Sequence, residues 1–545
     1  MRILIIPSAA IIPPPLQMNL GKIPSTLVPY KSGVILDHIC AKYSCFVDYI
    51  FVSSYYNHES LEEYVRIKKL NLEIVKLDKF GDIGYSVFKT LEYVFSKYGK
   101  VSQLYLNFGD TLTSNKPVFS KDIVLFSNLF VEDTWTYFKH DGGEITQVFD
   151  KVECDSLNKV GKVFVGEFGI AESWLFYSIL SKNINSIGII DSLYLTLIEY
   201  SQKYGFIFVE VENWVDVGHH DNSIRAKSEV EARAFNVINI DKNRGILKKT
   251  SNDAVKFVNE INWYLNIPNE LQYMLPRIYD YSTNLDCPMI SMEYYGYPTL
   301  HELFVYGKLS PLKWNKIFEK IDFIVSDMRS YKGNQYSQDK VHKYTYDMYI
   351  TKPIERLQRL KNNDNFIDFF TGDVTLNGYS LPSLNECIDN LPSLIEEVIF
   401  SGSEPQFSII HGDLCFTNIL VETNYNFIRL IDPRGSFGAP GIYGDIRYDI
   451  AKLFHSIDGG YDYIIEDLVP IELDGTDIYC DLPCNKQNKL FGQFVDVFSN
   501  HIESVDEIRI IESTLFLSML PLHDNVPSRQ YAMLATGLEL LNGVI

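Results

Sequence analysis

The sequence predicts two consecutive domains, an α/β domain with a mostly parallel sheet in residues 1–224 and an α+β domain in residues 225–545. The chain has 545 residues, which is long enough for more than one domain. Strand-like and helix-like segments alternate as far as about residue 220. From about Ala232 short strands come first and a largely helical stretch follows. We therefore place the domain boundary near Ile224.

The alternation in the first domain starts with the short apolar run Arg2–Ile6, which predicts a buried strand. The next segments alternate as helix Ser32–Tyr43, strand Phe46–Val52, helix Glu59–Leu70, strand Leu72–Leu77, helix Tyr85–Tyr98 and strand Gln103–Phe108. Such a βαβαβ rhythm predicts a mostly parallel sheet with helices on both faces. Ligands bind beyond the carboxyl ends of such strands, and Asp110 stands at one of these ends.

The second domain has a different order of elements. Its first predicted elements are the strands Phe235–Ile240 and Gly245–Lys249, the helix Asn252–Leu265, and further strands as far as Tyr294. The chain then reads as largely helical to Tyr349, and helical periodicity returns over Glu507–Leu541. Polar motifs and short strands lie between these helical stretches, over His411–Asp432.

Composition and charge exclude several classes of protein. Hydrophobic residues make up 46% and charged residues 22%, which are ordinary values for a globular chain. The net charge of −21 argues against a nucleic-acid partner, because such binding needs clustered positive charge. No apolar run of 18 or more residues predicts a membrane span. The eight cysteines are scattered, so we expect reduced thiols, no structural zinc site and a cytoplasmic location.

The second domain contains the motif with the most chemical content, His411-Gly-Asp413-Leu-Cys-Phe-Thr-Asn418, followed by an apolar strand and Ile431-Asp432. A carboxylate beside a hydroxyl nucleophile can orient it and accept its proton, and Asp413 fits that role. Asn418 and Asp432 offer the hard oxygen ligands that Mg²⁺ prefers. We expect His411 to hold the loop by hydrogen bonding. The alternative for Asp413 and Asn418 is that they cap turns.

These two blocks together resemble the aminoglycoside phosphotransferase and choline kinase family, which has a protein-kinase-like fold. The resemblance covers roughly residues 230–545. It implies a small lobe over about 230–295 and a large lobe over about 296–545. It also implies ATP as the phosphoryl donor, Mg²⁺ as cofactor, and the hydroxyl group of a small molecule as acceptor.

The same resemblance assigns the nucleotide-binding residues of the small lobe. A phosphate-gripping lysine on a strand is expected to pair with a glutamate on the next helix, and Lys249 and Glu260 match. We choose Lys249 over Lys248 because strand alternation turns only one of them inward. Ser291–Tyr295 resembles the connector between the lobes, so the backbone of Glu293 and Tyr294 would meet the adenine edge; a plain core strand is the alternative.

Two further residues of this domain have open assignments. Asp449, in Gly444–Lys452, resembles a carboxylate that supports the catalytic loop, or it is a helix N-terminal carboxylate favoured by the dipole. Arg434 departs from the commonest patterns of the family. It could clamp a phosphate or an acidic acceptor, or form a structural ion pair.

Three fragments of the first domain carry a second resemblance: Gly21-Lys22-Ile-Pro24, Gly109-Asp110 and Trp214-Val-Asp216-Val-Gly218. They resemble the sugar-phosphate nucleotidyltransferases, which have a GT-A-like fold, over about residues 1–222. The resemblance implies that Lys22 neutralises phosphate charge and that Asp110 and Asp216 hold Mg²⁺ on a second nucleoside triphosphate. The phosphate of the acceptor would then attack the α-phosphorus, and pyrophosphate would leave.

One loop departs from this family. The segment Pro7–Met18 has neither glycine nor arginine and includes three consecutive prolines, which remove backbone N–H donors. The triphosphate is therefore held differently, or the domain has lost catalysis and binds a sugar nucleotide or a partner.

Together the two halves predict a bifunctional kinase and nucleotidyltransferase that makes an activated sugar, polyol or amino alcohol, by resemblance for a surface polysaccharide. The alternatives are a kinase fused to a glycosyltransferase-like domain or to a non-catalytic one.

Overall fold

The computed structural model describes residues 1–117, 121–130, 135–151, 160–184, 191–211, 213–218, 236–401, 405–482 and 488–543. The chain divides into two compact units, Met1–Glu229 and Val230–Ile545. The predicted boundary near Ile224 lies outside the described residues.

The first unit alternates strands and helices along its first half. Its strands are β1 Arg2–Ser8, β2 Tyr49–Ser54, β3 Glu73–Lys76, β4 Gln103–Asn107, β5 Thr111–Thr113, β6 Ile123–Phe130, β7 Thr136–Asp141, β8 Glu144–Asp150, β9 Val160–Ile170, β10 Ile207–Glu210 and β11 Trp214–Asp216. Its helices are α1 Pro14–Leu20, α2 Ile35–Tyr43, α3 His58–Ile67, α4 Ile83–Tyr98, α5 Ser173–Asn183 and α6 Ser192–Tyr204.

The main sheet of this unit is mixed, which corrects the prediction of a mostly parallel sheet. Its order is β10-β6-β9-β4-β1-β2-β3, and β7 and β8 form a hairpin that joins through β9. The strands β3, β2, β1 and β4 are parallel, as the βαβαβ rhythm predicts. Strand β9 is antiparallel to both β4 and β6. The reason is local: β9 follows the β7–β8 hairpin instead of a crossover helix, and only a crossover makes the next strand parallel.

The core of the first unit lies under its central strands. In β1 every residue after Arg2 is buried, as expected for a parallel strand that is covered on both faces. Helix α4 packs on β1 and β2, and its Val87, Leu91 and Val94 recur at helical spacing and are all buried. This packing fixes the carboxyl ends of β1 and β4, next to which the first candidate site lies.

The second unit has several small sheets and a large helical part. Its helices are α7 Ala254–Asn266, α8 Leu300–Val305, α9 Pro311–Ser330, α10 Gln338–Tyr346, α11 Lys352–Gln358, α12 Leu384–Ile395, α13 Ile446–Ile457, α14 Tyr461–Ile465, α15 Asn488–Val497, α16 Val505–Met519 and α17 Pro527–Asn542. Its strands are β12 Asn236–Asp241, β13 Ile246–Ser251, β14 Ile278–Ser282, β15 Met289–Glu293, β16 Val374–Leu376, β17 Tyr379–Leu381, β18 Phe407–Ile409, β19 Ile419–Val421, β20 Ile428–Leu430, β21 Ser436–Phe437, β22 Ala439–Pro440, β23 Tyr443–Asp445, β24 Ile471–Asp474 and β25 Asp477–Cys480.

Two of these groups position the second candidate site. The antiparallel sheet β12-β13-β15-β14 comes first, and α7 follows β13 along the chain. The hairpin β19–β20 and the pair β18–β23 flank the segments that contain the polar motifs. At the C-terminal end, the helical stretch predicted over Glu507–Leu541 is two helices, because Pro521 lies in the turn between them and Pro527 starts α17.

Among the helices that the structure describes, none combines the length and the continuous apolar character needed to cross a bilayer. The six cysteines within the described residues are free thiols. Cys154 and Cys484 lie outside those residues.

Candidate active sites in the two units

Residues 411–418 of the second unit, here called the polar loop, follow β18. Asp449 holds the start of this loop. This buried carboxylate on α13 accepts hydrogen bonds from the backbone N–H groups of His411, at 2.6 Å, and Gly412, at 2.8 Å. Burial raises the pKa of Asp449 to about 7, while the two N–H donors act in the opposite direction. Asp449 therefore lies where a loop-supporting residue was predicted.

His411 connects this loop to the strand that leads to Asp432. Its Nε2 faces the carbonyl oxygen of Ile431 at 3.0 Å, and its Nδ1 faces the backbone N–H of Asp413 at 3.3 Å. One ring nitrogen therefore donates and the other accepts, which requires the neutral imidazole. Burial lowers the pKa of His411 to about 4, which keeps this state at neutral pH. The arrangement suits a positioning residue.

The carboxylate of Asp413 is fixed from two sides. The amide Nδ2 of Asn418 donates to the Asp413 carbonyl at 2.8 Å and to its Oδ2 at 3.2 Å. Lys452 forms an ion pair with Asp413 Oδ1 at 3.0 Å. Lys452 was not predicted from the sequence, although it lies three residues after Asp449 on one helix. That i,i+3 spacing places both side chains on the same face and was the available signal.

Lys249 is the buried lysine of its strand, and Lys248 is exposed. The Lys249 ammonium donates to both oxygens of Glu260, at 2.8 and 3.0 Å, and to Asp432 Oδ1 at 2.8 Å. Burial by itself would lower the pKa of Lys249, but the carboxylates of Asp432 and Glu260 outweigh it and raise that pKa. The structure thus joins the strand lysine, the helix glutamate and the loop aspartate in one cluster.

The loop that starts at Asp432 lies directly against the helix of Glu260. Asp432 has a left-handed backbone with φ +58°, and its N–H donates to the hydroxyl of Tyr264 at 3.1 Å. A Cβ added to Gly435 would stand 2.1 Å from the carbonyl oxygen of Asn259, so only glycine fits there. This close approach keeps Asp432 within reach of Lys249.

Asn418 and Asp432 have the donor set that suits Mg²⁺. Because the Asn418 amide nitrogen faces Asp413, the amide oxygen is the atom left for a metal. Asp432 uses Oδ1 for Lys249, and its side chain is 48% exposed. The two residues are coupled through the backbone, since the Ile431 N–H donates to the Asn418 carbonyl at 3.0 Å. Both offer hard oxygens, so a magnesium ion fits them chemically.

Two backbone N–H groups of the predicted connector are already engaged within the protein. The N–H of Glu293 donates to the Arg277 carbonyl at 2.8 Å, and the N–H of Tyr294 donates to the Gly245 carbonyl at 2.8 Å. Both donors are engaged by neighbouring segments and are not presented to an adenine. Sequence could not show this, because the engagement depends on where Arg277 and Gly245 lie across the sheet.

Arg434 lies between the polar loop and α13. Its N–H donates to the His411 carbonyl at 2.9 Å, and its guanidinium donates to the Tyr448 hydroxyl at 2.5 Å. No carboxylate in the described parts of the chain forms an ion pair with it. The structural ion pair considered for Arg434 is therefore not formed with a described residue.

The first unit contains a cavity of about 360 Å³ beside the ends of β1, β4 and β5. Asp110 and Asp216 both line it, together with the aromatic rings of Phe108, Trp135 and Trp214. The proline-rich loop forms another part of its wall, through Pro7, Ala9, Ala10, Ile11, Ile12 and Pro13. The two predicted carboxylates thus share one cavity with the loop that departs from the resembled family.

The strand pair β5–β11 brings the two carboxylates together. Asp216 stands opposite Thr111, and the Val217 N–H donates to the Asp110 carbonyl at 2.9 Å. Asp216 accepts from the Gly218 N–H at 2.8 Å and from the Trp135 indole at 3.1 Å. A Cβ on Gly218 would stand 2.4 Å from Asp110 Oδ2, so this glycine makes room for that carboxylate.

A divalent cation fits this pair of acids chemically, because both present carboxylate oxygens at one cavity, and such hard oxygens are the ligands that Mg²⁺ prefers. Within the described residues no group of three or more His, Cys, Asp or Glu side chains could hold a metal. A cation here would accordingly take its remaining ligands from phosphate oxygens and water.

A buried network supports the turn that carries Asp110. Glu167, fully buried, accepts from the Lys42 ammonium at 2.7 Å and from the Asn107 amide at 3.1 Å. Asn107 in turn accepts from the Gly109 N–H at 2.8 Å and donates to the Thr111 carbonyl at 3.1 Å. Burial raises the pKa of Glu167 and lowers that of Lys42, and their mutual attraction opposes both shifts. Hydrogen bonds therefore fix the turn both before and after Asp110.

Lys22 does not line this cavity, and its predicted role in neutralising phosphate charge stays a prediction. Its side chain is exposed outside the cavity, and its carbonyl oxygen accepts from the Asn57 amide. Lys151, at the end of the β7–β8 hairpin, lines the cavity instead. No motif marks Lys151, and its position depends on the antiparallel half of the sheet that the sequence analysis did not predict.

The three prolines of the departing loop start a helix. Pro13 precedes α1, and Pro14 and Pro15 occupy its first positions, where a missing N–H costs the helix nothing. The same positions would normally direct free N–H groups toward a bound phosphate. The start of α1 therefore lacks those donors.

No protein-family model and no curated protein matches the chain. Solved structures that it resembles include the CTP:phosphocholine cytidylyltransferase from Streptococcus pneumoniae, at 15% identity and TM-score 0.33, covering 42% of this chain and 100% of that one. HddC from Yersinia pseudotuberculosis complexed with GMP-PN is 12% identical, with TM-score 0.31 and coverage of 42% and 99%. The inositol-1-phosphate CTP transferase from T. maritima is 12% identical, with TM-score 0.31 and coverage of 43% and 98%.

Proposed function

We propose that the chain is a bifunctional enzyme. Its second unit transfers the γ-phosphoryl group of ATP to a hydroxyl of a small molecule, and its first unit couples a phosphorylated acceptor to a nucleotide. The observation that carries the proposal is the arrangement around Asp413. This carboxylate, oriented by Asn418 and Lys452, is joined through His411 to the strand that leads to the Lys249–Asp432 cluster.

This arrangement supports separate roles for these residues in the phosphotransferase step. The acceptor hydroxyl attacks the γ-phosphorus while Asp413 accepts its proton, the bond to the β-phosphate oxygen breaks, and ADP leaves. Lys249 neutralises phosphate charge, and Glu260 holds the lysine in place. When bound at Asn418 and Asp432, Mg²⁺ would supply further charge neutralisation at the phosphate oxygens.

The first unit supports a transfer that releases pyrophosphate. A phosphate oxygen of the acceptor attacks the α-phosphorus of a nucleoside triphosphate, and the bond between the α-phosphorus and the leaving pyrophosphate breaks. The cavity has the size typical of small-ligand sites, and Asp110 and Asp216 fit a divalent cation there. A bound Mg²⁺ would neutralise charge on the triphosphate.

A second candidate assigns the first unit no catalysis, so that it binds a sugar nucleotide or a partner beside an active kinase. Two observations favour it: Lys22 lies outside the cavity, and the start of α1 lacks N–H donors. Both reduce the positive groups available to a triphosphate.

The two candidates are separated by two assays on the full-length protein. ATP consumption is measured over a panel of sugars, polyols and amino alcohols, and pyrophosphate release is measured with each nucleoside triphosphate and the phosphorylated products. The bifunctional proposal expects both activities. ATP consumption without pyrophosphate release from any combination would leave the kinase with a non-catalytic first unit. Absence of ATP consumption with every acceptor would contradict the kinase proposal.

A further inference from the structure

Four basic side chains lie near one another and near Asp413. Lys452 pairs with it directly, Arg434 follows Asp432, and Lys352 and Arg356 stand one turn apart on α11. From the sequence, only Arg434 was singled out as a possible phosphate or acceptor clamp, and the other three were given no role.

Aromatic contacts bring the helices of these residues together. Tyr448 on α13 stacks with Tyr349 at 6.3 Å between ring centroids, and Tyr349 lies one turn before Lys352. The Tyr448 hydroxyl accepts from Arg434, whose guanidinium lies 5.7 Å from the same ring. Lys452 follows Tyr448 by one turn on α13. Arg434, Arg356 and Lys452, from three different segments, therefore all lie near Tyr448.

Three of the four basic side chains have no acidic partner in the described parts of the chain. Salt-bridge contacts within 4.0 Å are absent there for Lys352, Arg356 and Arg434. Arg356 donates to the Ser518 carbonyl at 3.0 Å, and the ammonium of Lys352 lies 4.0 Å from the sulfur of Met348. Partly buried charges without counter-ions are costly, and a ligand of opposite charge relieves that cost.

The protonation of Lys352 reflects this crowding. Burial lowers the pKa of Lys352, the positive charges of Arg434, Arg356 and Lys452 act in the same direction, and Asp413 opposes them, so that the pKa lies at about 6. An anion placed among these groups would raise the pKa of Lys352 and bind best to the protonated amine.

We propose that the cluster of Lys352, Arg356, Arg434 and Lys452 binds an anionic group of the phosphoryl acceptor, a phosphate ester or a carboxylate. The reacting hydroxyl of the same molecule then lies at Asp413. This inference rests on the proposed phosphotransferase function and narrows its substrate class. Arginine matches both oxyanions with paired N–H donors. A cationic acceptor such as choline would meet the like charges of Arg356, Arg434 and Lys452 and is excluded on that ground.

Anion binding is first tested without turnover. The thermal midpoint of the full-length protein is measured in millimolar sulfate, against chloride at equal ionic strength, with a saturating Mg²⁺ complex of a non-hydrolysable ATP analogue. Lys352→Met removes one charge of the cluster, and Lys361→Met, at an exposed position, is the matched control. We expect sulfate to raise the midpoint of wild type and Lys361→Met, and to raise that of Lys352→Met clearly less.

Equal sulfate effects in all three proteins would overturn the proposal. Displacement of the ATP analogue by sulfate would also overturn it, since the cluster would then belong to the nucleotide site. The sulfate effect should weaken as pH rises from about 5 to about 9, because Lys352 loses its proton among Arg434, Arg356, Lys452 and Asp413. Sulfate itself does not titrate in that range, so the trend reports the protein.

Turnover is then compared over matched acceptors: glycerol with glycerol 3-phosphate, and glucose with glucose 6-phosphate and glucuronate. We expect kcat/KM to be at least about tenfold higher for the anionic members, as charge-assisted pairs require. Lys352→Met should raise KM for those acceptors more than it lowers kcat. Equal use of neutral and anionic acceptors would contradict the proposal.

One outcome separates this inference from the proposed function. Sulfate binding that depends on Lys352, without any ATP consumption, would refute the phosphotransferase function but would still support an anion-binding site.

Discussion

Asp413 and Asp432 are both carboxylates of the second unit, yet their surroundings differ. Asp413 contacts an amide and Lys452, whereas Asp432 contacts Lys249. We expect Asp413→Asn to lower kcat for ATP consumption by about 10²–10⁴, the range of general-base groups, and to leave nucleotide affinity nearly unchanged. Steady-state kinetics and calorimetry with an ATP analogue measure the two quantities. Asp474→Asn, at an exposed position on β24, is the control, and near wild-type turnover of Asp413→Asn would remove this residue from the mechanism.

We expect Asp432 to contribute to binding of the nucleotide and its Mg²⁺ ion. Its left-handed backbone, with φ +58°, tolerates asparagine better than alanine, so Asp432→Asn tests the charge with little strain. The variant should weaken binding of the Mg²⁺ complex of an ATP analogue more than Asp413→Asn does, because Lys249 loses one of its two acidic partners and a metal loses a ligand. Calorimetry of both variants decides it, and equal affinity losses would contradict the separate roles.

Asp110 provides the corresponding test in the first unit. Asp110→Asn keeps the shape of the turn that Asn107 and Glu167 support, but it removes one of the two charges in the cavity. We expect pyrophosphate release to be abolished and ATP consumption to be unaffected. Both assays are run on the one variant. Unchanged pyrophosphate release would refute a metal-binding role for this carboxylate.

The positions of individual residues were predictable where a local rule, such as strand alternation or motif spacing, determined which way the side chain points. Strand alternation selected Lys249 over Lys248, and motif spacing selected Asp413, Asn418 and Asp432, which the structure brings into one region. Lys452 and Lys151 were missed because their positions depend on contacts between elements distant in sequence. Lys22 does not line the cavity, because its motif does not determine which side of the chain faces it, and its role at a phosphate stays a prediction.

At the scale of elements, His301 joins α8 to α14. Its Nδ1 lies 2.7 Å from Asp462 and its Nε2 lies 3.1 Å from Glu466, so both ring nitrogens donate and the imidazolium is required. Burial would lower the pKa of His301, but the hydrogen bonds to Asp462 and Glu466 outweigh it and raise that pKa to about 10.

This contact makes a pH-dependent contribution to stability. The pKa is higher in the folded protein than the value of about 6.5 in the unfolded chain, so the contribution is fully present below pH 6.5 and is lost as pH rises toward 10. The loss is at most about 1.4 kcal/mol per pH unit. Denaturant unfolding across this range should show the decline in wild type, and His301→Gln should flatten it. An equally steep decline in the variant would assign the effect to other groups.

Elements were predictable as far as their connections were regular. The parallel strands β1 to β4 and the helices between them follow from hydrophobic periodicity, with ends that shift by a few residues. The antiparallel strands after Asp110 were not predicted, because a hairpin and a long strand leave no helical segment to reveal the order of the sheet. That half of the sheet positions Trp135 and Lys151 at the cavity, so the contribution of these two residues to the site was not predicted either.

At the scale of the whole molecule, the chain should be separable. Within the described residues every sheet is built from strands of one unit, and each unit contains all the residues of its own candidate site. At roughly 230 and 320 residues the units reach sizes at which a single core is stable. A fragment of residues 230–545 should therefore unfold cooperatively and keep ATP consumption within a few-fold of the full chain, while pyrophosphate release disappears. Circular dichroism and the two assays, run beside the full-length protein, measure this. If the fragment is insoluble or inactive while the full chain consumes ATP, the kinase reaction depends on the first unit. The two units would then not be independent enzymes, and the prediction of separability would be wrong.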